Sequence, residues 1–126
     1  MPLRSPLSKA IGHGSAKHGF SHWWWQRLSA VALIPLTLWF VYSVITLINS
    51  EYAVVIAWLS SPIKASLLLL FILVALFHAQ TGLQVVIEDY IHCKCVNLAS
   101  LIAVKFISVL LAVVSVISIF KIVLGG

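Results

Sequence analysis

The chain has 126 residues, of which 62% are hydrophobic and 9% charged, with a formal net charge of +5. An average globular protein carries roughly 45–50% apolar and about 25% charged residues, so eight basic and three acidic side chains cannot screen this much apolar surface from water. That excludes a water-soluble enzyme, a disordered tail and a disulfide-rich secreted module, and the basic groups are too dispersed for a nucleic-acid patch.

In chain order, residues 1–27 read as a cytoplasmic or interfacial segment. Its first part, Met1–Gly19, is basic, contains serine and has no acid. These traits are shared with organelle transit peptides, but a cytoplasmic tail is the simpler reading. A cleaved signal peptide does not fit, because its apolar stretch spans only about 7–15 residues, whereas the run here, Leu28–Ile48, is 21 residues without a charge. Just before it stand Trp23, Trp24 and Trp25, suited to the aromatic belt at a membrane surface. Three adjacent positions point to three helix faces, so at least one indole is expected to pack on another protein.

A transmembrane helix needs about 20 mostly apolar residues. Residues 28–48 satisfy this, with Pro35 expected to bend the helix. Residues 65–87 form a second uncharged run, of 23 residues. The third is shorter, with 15 uncharged residues from Phe106 to Phe120 between Lys105 and Lys121. Both lysines can snorkel to the interfaces, extending the span to 101–123. Between the first two spans, Asn49–Lys64 carries Tyr52, Trp58 and a Ser60-Ser61-Pro62 stop, and fits a short interfacial helix. The fold expected is an all-α membrane protein with three transmembrane helices in a single domain.

Positive charge sets the orientation. Arg4, Lys9, Lys17, Arg27, Lys94 and Lys105 fall on one side, and Lys64 and Lys121 on the other. The N-terminus is therefore expected inside and the C-terminus outside. His92, Cys93 and Cys95 then face a reducing compartment, where a disulfide is disfavoured, and a metal site there lacks a clear fourth ligand.

The informative residues are the polar ones within or beside the spans, because intramembrane ionisable groups are rare and default to function. His78 lies mid-way along the second span. Asp89 is 11 residues further, about 16 Å along a helix, and returns to within about 20° of the same face. His78, Thr81, Gly82, Val85 and Asp89 therefore share one stripe. Gly82, one turn from His78, leaves room for a flat group such as a haem, or for close helix packing together with Ala75 and Ala79. Three roles fit His78: haem ligand, a histidine bonded to a neighbouring helix, or proton relay. If it ligates a six-coordinate haem, the second ligand must come from another chain. No other intramembrane histidine exists, the one methionine is Met1, and Tyr42 and Tyr90 are poorly placed.

Glu88, Asp89 and Tyr90 close the second span, on the same side as Arg27. A tyrosine hydroxyl can donate to a quinone carbonyl and a neighbouring carboxylate can pass protons. Arg27 could clamp Asp89, a haem propionate or a lipid phosphate. The alternative is an ordinary interfacial cluster of charged and aromatic groups.

The run His78-Ala79-Gln80-Thr81-Gly82-Leu83-Gln84-Val85-Val86-Ile87-Glu88-Asp89-Tyr90 resembles the second-helix signature of the small hydrophobic membrane-anchor subunits of succinate dehydrogenase, respiratory complex II. That signature is a histidine, a glycine four later, and Asp-Tyr at plus eleven and plus twelve. His22-Trp23-Trp24-Trp25-Gln26-Arg27-Leu28-Ser29-Ala30 resembles the start of the first helix in the alphaproteobacterial form, and the resemblance covers nearly the whole chain. It implies that His78 is an axial ligand of haem b, the other ligand belonging to the larger cytochrome b membrane subunit. It implies further that Tyr90 hydrogen-bonds ubiquinone and that Asp89 serves proton delivery or site geometry. Arg27 would lie near the haem propionates and quinone pocket, with His22 nearby, and Gly82 takes the family's glycine position. Glu88 departs from the pattern, in which a neutral residue commonly precedes Asp-Tyr.

The implied assembly adds an iron–sulfur subunit and a flavoprotein subunit, in a bacterial inner membrane or alternatively the mitochondrial one. This chain would contribute anchoring, half of a haem site and one wall of a quinone site, with no dehydrogenase chemistry of its own. Two other readings stand beside it. One is the anchor of a quinol:fumarate reductase. The other is a small structural or transport membrane protein, for which Thr37, Ser43, Thr46, Ser108, Ser115 and Ser118 make a thin polar pathway.

Overall fold

The computed structural model describes residues Ser15–Gly125, with side chains from Phe20 onward. The basic positions Arg4 and Lys9, the side chain of Lys17 and most of the Met1–Gly19 segment lie outside the described residues. Within them the chain forms four helices: α1, Ser15–Leu47; α2, Tyr52–Leu59; α3, Pro62–Tyr90; and α4, Lys94–Val123. No strand occurs among the described residues. Three stretches are long and apolar enough to cross a membrane: Phe20–Leu47, Pro62–Tyr90 and Lys94–Val123. The short α2 occupies the connection between the first two.

Each long helix extends beyond its apolar run. α1 starts well before Leu28, because nothing from Phe20 to Arg27 breaks a helix, so the three tryptophans stand on helical turns and not on a loop. It then continues through Pro35. α3 opens with Pro62 in its first turn, where the missing N–H has no intrahelical role. It ends at Tyr90, followed by Ile91 in an extended conformation. The Nδ2 amide of Asn97, in the first turn of α4, closes this end by donating to the carbonyls of Ile87 (3.3 Å) and Ile91 (3.1 Å). The Glu88-Asp89-Tyr90 motif is thus the last turn of α3, held against the start of α4.

α3 is the central helix, packing against both α1 and α4, while α1 and α4 form no comparable interface with each other. At the end of the bundle near α2, Trp39 stacks on Trp58 at 5.7 Å and Lys64 lies over the same indole at 5.4 Å. Phe40 stacks on Phe71 at 4.7 Å, joining α1 to α3.

The enclosed core is small. Leu36, Ala65, Ile87 and Ile119 are the buried apolar residues, and Ser29, Ser43 and Thr81 the buried polar ones. Small and hydroxyl-bearing residues at the contacts suit helices in lipid, where association relies on close approach and hydrogen bonds rather than on the hydrophobic effect. Ser43 bonds back to the carbonyl of Trp39 at 2.8 Å, which satisfies its hydroxyl within α1. Many other apolar side chains, Leu38, Ile45, Phe106 and Leu110 among them, are exposed, and others such as Phe40, Phe71 and Leu76 are half-buried.

Candidate functional site

The polar residues buried between α1 and α3 converge on His78. Its Nδ1 lies 3.0 Å from Ser29 Oγ. Ser29 is buried on α1 and its hydroxyl also bonds the Gln26 carbonyl at 2.9 Å. One turn along α3 from His78, the Thr81 hydroxyl donates to Gln26 Oε1 and lies 3.0 Å from the carbonyls of Phe77 and His78. Gln26 and Ser29 sit one turn apart on α1, as His78 and Thr81 do on α3. The two pairs form a ladder of side-chain contacts in an otherwise apolar interface.

Gly82 belongs to this ladder. A Cβ at position 82 would stand 3.7 Å from Gln26 Nε2. Its contact is therefore with α1, in keeping with the close packing expected as one of its two roles. The open space beside His78 lies elsewhere. The imidazole lines a groove of about 380 Å³ together with Ala30, Leu33, Ile34, Thr37 and Leu38 of α1. Among the described residues, the one fully enclosed side-chain nitrogen or oxygen without a partner is His22 Nε2. Nε2 of His78 makes no hydrogen bond and so is not sealed inside the chain.

The stripe predicted from His78 to Asp89 meets two environments. Thr81 is buried against α1, whereas Val85 and Asp89 are exposed. Tyr90 is 78% exposed, so its phenol projects beyond the bundle. Glu88 Oε1 accepts a hydrogen bond from Gln84 Nε2 at 3.1 Å, one turn back on α3. Arg27 is brought to neither acid. Its guanidinium lies over the Trp23 ring, 5.4 Å from the centroid. Trp23 also stacks on Phe20 at 6.1 Å, and Trp25 meets Phe77 of α3 edge-on at 6.5 Å. Each of the three tryptophans keeps about half its surface exposed, from 50% to 53%. His92, Cys93 and Cys95 are exposed, the cysteines are free, and no three His, Cys, Asp or Glu side chains cluster to hold a metal ion among the described residues.

Sequence patterning singles out His78, Asp89 and Tyr90 as candidates but not the hydrogen-bond partner of His78. Ser29 is 49 residues away, on another helix, and resembles any span serine. Its only mark is its place beside Arg27 at the start of an apolar run.

The arrangement can do two things chemically. It can hold an imidazole with Nδ1 engaged inside the chain while the residue lines an open groove. It can also present an exposed phenol and an exposed carboxylate at a helix end.

The family described as succinate dehydrogenase/fumarate reductase transmembrane subunit matches residues 1–119. The succinate dehydrogenase hydrophobic membrane anchor subunit of Rickettsia bellii is 39% identical over 94% of this chain and 94% of its own length. The same-named subunit of Rickettsia conorii is 31% identical over 94% of each. That of Paracoccus denitrificans is 35% identical over 68% of this chain and 67% of its own. No solved structure matches at a significant level. On this similarity, which runs through all three long helices, the chain belongs to the succinate dehydrogenase/fumarate reductase transmembrane subunits, among their hydrophobic membrane anchors.

Proposed function

We propose that the chain anchors a succinate:ubiquinone oxidoreductase in a bacterial inner membrane, with its N-terminus inside and its C-terminus outside. In this reading it supplies one axial ligand to a haem b and one wall of a ubiquinone site. The observation that carries it is His78, an intramembrane imidazole with Nδ1 engaged by Ser29, with no hydrogen bond on Nε2 among the described residues, on a residue that lines an open groove. That donor set fits a haem shared with another chain. His78 would hold the iron through Nε2, and the groove along Ala30, Leu33 and Ile34 gives an apolar surface for the porphyrin. Bound there, a haem supplies a one-electron redox centre within the bilayer. The second ligand would come from a cytochrome b membrane subunit, since the three apolar runs of this chain hold no other histidine.

At the inner end of α3, Tyr90 would donate its phenolic hydrogen bond to a quinone carbonyl, and Asp89 would deliver a proton from the aqueous side. Glu88 accepts from Gln84 through Oε1 and keeps Oε2 free, so it can share that task with Asp89. Arg27 sits on Trp23 in the single chain and would be available for a propionate or lipid phosphate once the neighbouring subunit is in place. The exposed apolar faces of all three spans support a subunit that is covered by lipid and by other chains.

The family description spans succinate dehydrogenases and fumarate reductases. The names of the relatives favour the succinate direction. Purification from membranes through a tag on this chain tests the reading. The expected result is co-elution with a flavoprotein, an iron–sulfur protein and a second membrane subunit, with bound flavin and iron. A lone chain or a homodimer without either would reject it.

A further inference from the structure

We propose that Ser29 is the positioning residue of the His78 ligand. Its hydroxyl accepts the Nδ1 proton and so fixes Nε2 as the nitrogen presented outward. The inference rests on the haem reading above and extends it to a residue on a different helix.

A serine hydroxyl has one proton and two lone pairs. Ser29 lies in helical geometry with the Gln26 carbonyl three residues back, 2.9 Å from its oxygen. A carbonyl can only accept, so that contact uses the proton. The same oxygen is 3.0 Å from His78 Nδ1 and has only lone pairs left to offer. With the proton spent on that carbonyl, Nδ1 carries the hydrogen and the lone pair of the neutral ring falls on Nε2; the opposite tautomer needs the serine proton turned to Nδ1 and away from Gln26. Ser29 is buried at 7% exposure, so water does not compete for the contact. The bond from Thr81 to the Gln26 side chain ties the same turn of α1 to α3, holding Ser29 in register with the imidazole.

An acceptor behind the distal nitrogen of a metal-bound histidine fixes the ring's tautomer and orientation and raises its basicity. A more basic imidazole favours ferric over ferrous iron. Loss of the acceptor should therefore loosen the ligand and raise the haem's midpoint potential.

The test uses the full complex with Ser29→Ala, Ser29→Cys and Ser29→Thr, reading haem content per flavin, the midpoint potential and the ferric low-spin resonance. Ser29→Ala is expected to hold haem about tenfold less tightly, with the potential raised and the resonance shifted. Ser29→Thr, which keeps the hydroxyl, should return both toward the parent. Ser29→Cys, nearly the same size but a weaker acceptor, should fall between, and it gives a readout should the alanine variant fail to assemble. Equal potentials and resonances across serine, cysteine and alanine would overturn the inference. His78→Ala separates this failure from failure of the parent reading: an unchanged haem spectrum there refutes the ligand assignment. Loss of haem there, with Ser29 variants like the parent, refutes only the role of Ser29.

Discussion

His78→Ala is expected to abolish or sharply weaken the reduced-minus-oxidised haem b spectrum of the purified complex. Candidate ligands are scarce in this chain. His78 is the one histidine within the three apolar runs, and the one methionine is at position 1, so neither a second histidine nor a methionine within those runs can replace it. The substitution removes the imidazole from the α1–α3 interface but leaves the Gln26–Thr81 bond in place. Ser29 loses only a donor to its lone pair and keeps its bond to the Gln26 carbonyl. A lost hydrogen bond of this kind costs about 1 kcal/mol, too little to dismantle three packed helices. The spectral loss should therefore appear in a complex that still contains all its subunits. Haem content measured per flavin checks this. An unchanged spectrum with an unchanged midpoint potential would contradict the assignment of His78 as ligand.

Tyr90→Phe is expected to lower quinone reductase activity about tenfold, while succinate oxidation with an artificial acceptor survives. The phenol is 78% exposed and makes no hydrogen bond within the described chain, so its removal takes nothing from the fold. What it removes is a donor to the bound substrate. A hydrogen bond contributing ~1.4 kcal/mol to the rate-limiting step corresponds to a tenfold change in rate. The flavoprotein and iron–sulfur subunits of the proposed assembly lie outside this change, which is why the artificial acceptor should still be reduced. Steady-state assays with a soluble quinone and with the dye on one preparation provide the comparison. Equal loss of both activities would point to defective assembly rather than to a quinone contact.

The membrane spans were legible in the sequence because long uncharged runs have one physical solution in a bilayer, a helix that bonds its own backbone. The short helix α2 was legible for a related reason, being an apolar stretch bounded by Asn49-Ser50 and Ser60-Ser61-Pro62. Helix ends were harder to read. α4 begins at Lys94, ahead of the run expected from Leu101, because Asn97 and Lys105 interrupt hydropathy without interrupting a helix. α1 likewise reaches back through the tryptophans.

In the site, His78 and the Asp89-Tyr90 pair stood out as polar groups where lipid disfavours them. Their surroundings did not. Ser29 meets His78 across 49 residues, and no spacing rule within one helix joins residues on two. Gly82 allowed two roles, and its neighbour in the structure is Gln26. Arg27 allowed several anionic partners, and in the single chain it lies on Trp23. These outcomes depend on how α1 crosses α3, which hydropathy does not encode.

The chain is proposed to complete its sites only together with another membrane subunit. A density map of the purified complex at the level of His78 tests this most directly. The predicted result is an iron bonded by His78 Nε2, with Ser29 behind Nδ1 and the second axial ligand from the neighbouring subunit. An iron held by two side chains of that neighbour, with His78 packed against protein or lipid, would contradict it.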